Sequence, residues 1–392
     1  MEIDTLKKIC MLGKVRSTDG GDYKLSDDII VYCMAELEKL GYTPAFDGNN
    51  IYAKGTFPVL LAAHLDTWFR NPITKIIQEG NKLSSPQGIG GDDRCGIYMV
   101  LELVKEFHCS VLLSTYEEVF DSYSGSMYDF INSECRPKSL DVDYVMEFDE
   151  PGKDGVVYYE IGNRAFEKFI EQDGYFKRHD SDGQTDIRFI TVAYNLAGVN
   201  IPCGYYCNHF EDEYINFDET EASLNAARKI LKRTAHKKFD YLSSGTKLIF
   251  NDDDVVHLTL KSIKYQQEYD RVFRLLWYFT VCSPHKGVVL EFAEGFHEIP
   301  DEAFSECISL DSGAVRLKQL ILPHSLYFIG MKSFAGIVVD EPVILPEHIH
   351  ALHNGAFCGE YQEVHTIRAI GEMLFVSDDA IGDNATLIEE RK

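Results

Sequence analysis

Residues 58–67 read PVLLAAHLDT, and residues 88–95 read GIGGDDRC. The first stretch is a short, wholly apolar run (Pro58 to Ala63) that ends on a histidine and an aspartate two residues apart. An apolar run of this length without alternation is the pattern of a strand buried on both faces. Val111 to Ser114 and Tyr144 to Phe148 repeat it. Between these runs, Gly96 to Phe107 (GIYMVLELVKEF) has helical periodicity, as do Arg164 to Ile170 and Glu219 to Lys232. Ser26 to Leu40 places Ile29, Ile30, Cys33, Met34, Leu37 and Leu40 on one helical face, with Gly41 as its stop. Strands alternating with helices predict an α/β fold with a mostly parallel sheet covered on both sides.

The chemistry sits at the ends of the predicted strands. His64-Leu65-Asp66-Thr67 follows the first buried run, Gly90-Gly91-Asp92-Asp93-Arg94 opens a helix, Thr115-Tyr116-Glu117-Glu118 follows the next run, and Phe148-Asp149-Glu150 follows the third. A fifth piece, Tyr206-Cys207-Asn208-His209 with Glu213 four residues on, precedes the Glu219 helix. In open α/β sheets ligands bind outside the carboxyl ends of the strands, so these loops are expected to converge on one crevice. Taken singly, each piece has a plain alternative. A His-x-Asp arises by chance, paired glutamates mark solvated loops, and Asp-Asp before a helix suits the helix dipole. What shifts the reading away from these alternatives is the ordered set of histidine, aspartate, aspartate, paired glutamates, aspartate and histidine, each element ending a strand or opening a helix.

That ordered set resembles the zinc-dependent exopeptidases built on the phosphorylase/hydrolase-like fold: the peptidase T and glutamate carboxypeptidase group, the bacterial leucyl aminopeptidases and the glutamyl aminopeptidases. The resemblance covers roughly residues 1–238. It implies an αβα sandwich, with His64 and Asp149 as terminal ligands of one metal, Glu118 and His209 of the other, and Asp92 bridging both. It further implies that Asp66 orients His64, that Glu117 is the catalytic base, and that the Asp92–Asp93 peptide is cis. Imidazole and carboxylate ligands suit zinc, with cobalt or manganese as alternatives. Two such ions acidify a bridging water and polarise a scissile carbonyl. His64 and Asp66, two apart on an extended segment, point the same way, so the carboxylate can fix the ring's tautomer.

The chain departs from its relatives in places. Val119-Phe120 runs into DSYSGS where the family continues with Val-Gly, and neither of the family's large insertions fits between Asp149 and His209 or between His64 and Asp92. A lidless catalytic domain, nearest the leucyl aminopeptidases, is therefore expected. Gln184-Thr185-Asp186 resembles a family segment that lines the site, with a solvated turn as the alternative, and Asp186 is not counted as catalytic. Tyr205 and Tyr206 offer a phenol to a developing oxyanion; core packing is the expectation.

After about residue 245 the alternation stops and a repeat begins. Leu322 to Phe334 (LPHSLYFIGMKSF) and Leu345 to Phe357 (LPEHIHALHNGAF) recur at a period of 23, and an earlier copy, FAEGFHEIPDEAF, ends at Phe304. Such self-similarity marks a solenoid, and the cadence Ile299-Pro300, Ala303-Phe304, Cys307 resembles bacterial surface-antigen-type leucine-rich repeats. Phe304, Phe334 and Phe357 are expected in the solenoid core, Lys261 to Thr280 as a helix covering its first edge, and His348, His350 and His353 as surface residues. The domains expected are 1–243 (catalytic), 244–290 (linker and capping helix) and 291–392 (repeats).

Composition narrows the partners. The formal net charge of −25 is spread over both halves of the 392-residue chain and repels nucleic-acid phosphates and anionic lipids. Hydrophobic residues make up 45%, enough for sizeable cores and against disorder. There is no secretion signal or long apolar span, and ten cysteines lack a CxxC pair, so a cytoplasmic protein with reduced thiols is expected. Cys203 and Cys207 have no second thiol pair to complete a zinc site. The function expected is a two-metal hydrolase of peptide bonds, most simply an aminopeptidase. The alternatives are an amidohydrolase or deacylase acting on a non-peptide amide, and a binding protein whose repeats recognise a protein partner on a hydrolase scaffold. In the alternative with a partner the intact ligand set has no use.

Overall fold

The computed structural model describes residues 2–13, 28–69, 73–115, 117–118, 140–159, 161–181, 185–234, 236–242, 246–250, 255–263, 266–282, 287–305, 315–358, 366–370, 375–377, 379–381 and 386–390. Tyr116, Gln184 and the Val119-Phe120-DSYSGS stretch lie outside these residues. The chain forms two compact units, Met1–Tyr241 and Leu242–Lys392.

The first unit is an α/β fold around a six-stranded sheet. Its strands are β1 (Ala45–Phe46), β2 (Ile51–Ala53), β3 (Phe57–His64), β4 (Cys109–Ser114), β5 (Tyr144–Glu150) and β6 (Gly198–Pro202). In space they run β1-β2-β4-β3-β5-β6. The four strands β4, β3, β5 and β6 are mutually parallel, and β1 and β2 form an antiparallel edge. Every residue of β4 and β6 is buried, as the unbroken apolar runs require of strands covered on both faces.

The helices are α1 (Glu2–Met11), α2 (Asp28–Lys39), α3 (Gly91–Phe107), α4 (Arg164–Ile170), α5 (Ile187–Tyr194) and α6 (Phe217–Lys232). Val59, Leu61, Ala63, Val111, Leu113, Tyr144, Met146 and Phe148 join residues of α1, α2, α3 and α6 in one core. The alternate residues of the strands face the other side, where the α5 backbone at Ile187 donates to Glu147 at 3.1 Å. The result is a layered αβα arrangement. Register decides which side chains meet: His64 lies opposite Ser114, and two residues beyond the Ala62–Glu147 pair lie His64 and Asp149.

Helix α3 begins at Gly91 rather than at Gly96. The Asp92–Asp93 peptide is cis, and both aspartates have non-helical dihedrals, so the regular helix follows them. Gly96 is required here by close approach: a Cβ would stand 2.0 Å from the Phe148 carbonyl oxygen. A second, small antiparallel sheet joins 205–206, 214–216, 82–84 and 77–79, and its hairpin presents the 207–213 loop.

In the second unit, residues assigned by sequence to a linker are strands. Thr246–Phe250 pairs antiparallel with Val255–Leu260, which runs parallel to Gly287–Phe292 and then Gln319–Ile321. The alternating burial of Val255–Leu260 is the period-two signal that the neighbouring polar stretch obscured. Asn251 to Asp254 lie outside the described residues. Short parallel strands at 298–299, 328–329, 351–352 and 375–376 form one ladder, and 343–345, 366–370 and 386–390 form another. Phe304, Phe334 and Phe357 stack in sequence at 5.6 and 5.1 Å between ring centroids, all buried. The helix Gln266–Trp277 buries Tyr269, Val272, Phe273, Leu275 and Leu276, with Tyr269 edge-on to Phe304. His348 and His350 are exposed, and His353 lies between Phe328 and Phe375. No helix among the described residues is long and apolar enough to cross a membrane.

Candidate metal centre

The carboxyl ends of β3, β4 and β5 bring five residues to one point. His64 closes β3, Glu118 follows β4, Asp149 lies in the last turn of β5, Asp92 opens α3 and His209 comes from the 207–213 loop. His64 Nε2 lies 3.0 Å from Asp92 Oδ1 and 3.2 Å from Asp149 Oδ1. His209 Nε2 lies 3.3 Å from Asp92 Oδ2 and 2.9 Å from Glu118 Oε2. The two oxygens of Asp92 thus face different histidines, each of which has its own further carboxylate.

The donor set suits a cation better than it suits hydrogen bonding. Glu118 is 2% exposed, yet neither of its oxygens has an aligned donor, although His209 Nε2 is so near. A buried carboxylate without donors carries a desolvation cost that a coordinated ion removes. Two triads are compact enough to hold an ion, His64/Asp92/Glu118 and His64/Asp93/Asp149. Asp93, however, accepts from the Gly96 backbone at 2.8 Å and the His64 backbone at 3.1 Å. Its carboxylate is committed to holding α3 against β3, which leaves Asp92 as the carboxylate that faces both histidines.

Around these residues lies a layer that aims them. Asp66 Oδ1 stands 3.4 Å from His64 Nδ1, and its Oδ2 accepts from the Glu118 backbone at 3.2 Å, so one carboxylate ties the first strand end to the second. Tyr205 donates its hydroxyl to Asp149 Oδ1 at 3.2 Å, and Asn208 donates to Asp92 Oδ2 at 3.1 Å. Tyr205 is thereby a core residue whose polar end supports a carboxylate. Tyr206 turns away, its hydroxyl on Glu219. Asn200 accepts from the Asp149 backbone at 2.9 Å. Trp68 stacks on His209 at 4.9 Å. Arg94, buried beneath, donates to the Leu65 carbonyl at 2.6 Å. Cys203 is buried with its thiol toward the Ile201 carbonyl, whereas Cys207 is exposed.

The electrostatics follow from crowding acids around imidazoles in a buried place. Burial alone would push His64 down, but Asp149, Asp66 and Asp92 hold it well above the ordinary imidazole value. The neighbouring carboxylates of Asp92 and Glu118 raise His209 to about 10. Burial, opposed by His64, leaves Asp149 raised to about 7. Glu117, half-buried beside Glu118, is raised well above the carboxylate range by burial and by Asp149. Asp186 is raised to about 6 by burial, against a hydrogen bond from Ser114 and the charge of His64, which places it at the rim of the same cluster.

Tyr205 lies in the core as expected, whereas Trp68 and the contacts made by Asp93, Asn208 and Glu213 were not read from the sequence. Their only signal is proximity to a ligand in the chain, which does not tell a support from a bystander.

No protein-family model matches the sequence, and no curated protein matches it. Solved structures with a similar chain trace include the aminopeptidase PepT of Bacillus cereus, at 13% identity and a TM-score of 0.46 over 59% of this chain and 97% of that one. A tripeptidase of Staphylococcus aureus is 12% identical with a TM-score of 0.45, over 59% and 97% of the two chains. An aminopeptidase of Desulfurococcus kamchatkensis is 11% identical with a TM-score of 0.42, over 60% and 95%.

Proposed function

We propose that the first unit is a two-metal hydrolase of peptide bonds and that it acts as an aminopeptidase. The observation that carries this reading is the division of the Asp92 carboxylate between His64, paired with Asp149, and His209, paired with Glu118. His64, Asp149 and Asp92 would hold one divalent ion, and Glu118, His209 and Asp92 the other, zinc being the metal that these ligands suit. Bound there, the ions would acidify a water and polarise the scissile carbonyl.

The chain's own groups supply the rest. Glu117, next to a ligand but not one itself, takes the proton of the attacking water and returns it to the leaving amine. Asp66 keeps the His64 ring oriented through Nδ1. Among the described residues the buried guanidinium, Arg94, is engaged with the Leu65 carbonyl and is not turned to a substrate carboxylate, which favours a free amino terminus as the end that is read. The repeat unit is assigned to recognition of a protein or substrate segment.

A panel of peptide and aminoacyl amides, each with a free and an acetylated amino terminus, tests the reading on zinc-loaded protein. Hydrolysis restricted to free-amine substrates is expected. Preference for the acetylated series would favour a deacylase, and absence of turnover in metal-loaded protein would contradict the enzyme assignment.

A further inference from the structure

Glu213 is fully buried, yet it touches none of the reacting groups. Its Oε2 accepts from the Gly90 backbone at 2.6 Å and its Oε1 from the Asp92 backbone at 3.2 Å. Gly90, the residue before helix α3, sits in the left-handed region at φ 65 and offers no side-chain cap. The free N–H groups of the first turn need an acceptor, and Glu213, distant in sequence, provides it.

The same residue closes the loop that carries His209. The Glu213 N–H donates to the Phe210 carbonyl at 3.0 Å and the Phe210 N–H to the Cys207 carbonyl at 3.2 Å. Within that loop Cys207 and His209 both have positive φ, 57 and 69. Non-glycine residues hold such dihedrals only where the surroundings over-determine them, and the anchor at the loop's end is the carboxylate of Glu213 on the Asp92 turn.

We propose that Glu213 is a positioning residue that clasps the His209 loop to the Asp92 turn and so sets the ion site made by Asp92, Glu118 and His209. The inference rests on the two-ion reading above. The other site is held by different means: His64 is fixed by β3 and by Asp93 on its backbone, and Asp149 by β5 and Asn200. Loss of Glu213 therefore acts first on the ion that His209 would hold, because the His209 loop is what it anchors, and reaches the other ion only through Asp92. In Glu213→Gln the amide nitrogen faces a backbone N–H, so one of the two bonds cannot form.

The test is a zinc titration of full-length apo protein against a chromophoric chelator, with elemental analysis of the loaded product, for the wild type, Glu213→Gln and Glu213→Asp. Wild type is expected to bind two ions. Each variant is expected to bind one with affinity within about threefold of wild type and the other about 10- to 100-fold more weakly. Excess zinc should restore kcat with KM unchanged, which a general packing defect would not allow. Retention of both ions at wild-type affinity, or equal weakening of both, overturns the proposal. If Glu213→Gln fails to fold, Glu213→Asp, which keeps the charge and gives up reach, decides by the same criterion. Wild type that binds fewer than two ions contradicts the two-ion reading itself, and is seen before any variant is compared.

Discussion

In the proposed reaction Glu117 and Glu118 meet separable demands, and substitution distinguishes them. Glu117→Gln keeps the shape of the side chain but cannot accept a proton, so turnover should fall by about 10² to 10⁴ with metal content and fold unchanged. Near-full activity of purified Glu117→Gln would show that the base is another residue. Glu118→Gln should act differently, lowering metal occupancy, because its oxygens are the ones left without donors in the metal-free chain. Protons compete with metal at the same atoms. Without metal the neighbouring carboxylates of Asp92 and Glu118 raise His209 to about 10, and burial leaves Asp149 raised to about 7. Both must be deprotonated to coordinate, so metal binding should release protons and the affinity should rise from pH 6 to pH 9. Calorimetry in two buffers of different ionisation heat measures that release; an affinity independent of pH would contradict it. His64, Asp92, Glu118, Asp149 and His209 were legible as a converging set because they fall in one ordered series at strand ends and beside helix starts. Glu213, Tyr205 and Asn208 were not, because each acts on a partner more than 50 positions away, through a backbone N–H or a single oxygen.

Helix α3 owes its place to Gly96, whose Cα lies against the end of β5 one residue before Asp149. Gly96→Ala would bring a methyl within 2.0 Å of the Phe148 carbonyl oxygen and 2.3 Å of Asp93 Oδ1. Neither neighbour is the free end of a flexible chain, so the substitution should cost about 1–3 kcal/mol and lower the melting temperature of the metal-free protein by several degrees. An unchanged melting temperature would mean that the helix packs less tightly than described. At this scale the buried strands were legible from their apolar runs. The opening of α3 at Gly90-Gly91-Asp92-Asp93 was legible too, but its acceptor Glu213, 123 positions from Gly90, was not. The small sheet that presents His209 was invisible for another reason: strands of two or three residues are too short to show a period.

Across the whole molecule, the first unit has its own core, drawn from Leu6 through Phe239, and contains every candidate ligand. A chain ending at Tyr241 should therefore fold and bind metal, as a unit of this size buries about 70% of its surface unaided. Circular dichroism with metal analysis checks this, and an aggregated or metal-free fragment would show that the core is shared. The change of texture near residue 245 was legible because a 23-residue period and an α/β alternation cannot be confused. The strands at 246–250 and 255–260 were hidden beside the polar Asn251 to Asp254. The account turns on Asp92 joining two ions, and anomalous scattering from crystals of stripped and zinc-reconstituted protein tests it most directly. Two peaks per chain are predicted, one against His64 and Asp149 and one against Glu118 and His209, with an oxygen of Asp92 on each. A single peak, with Asp92 engaged on one side only, would contradict the two-metal mechanism.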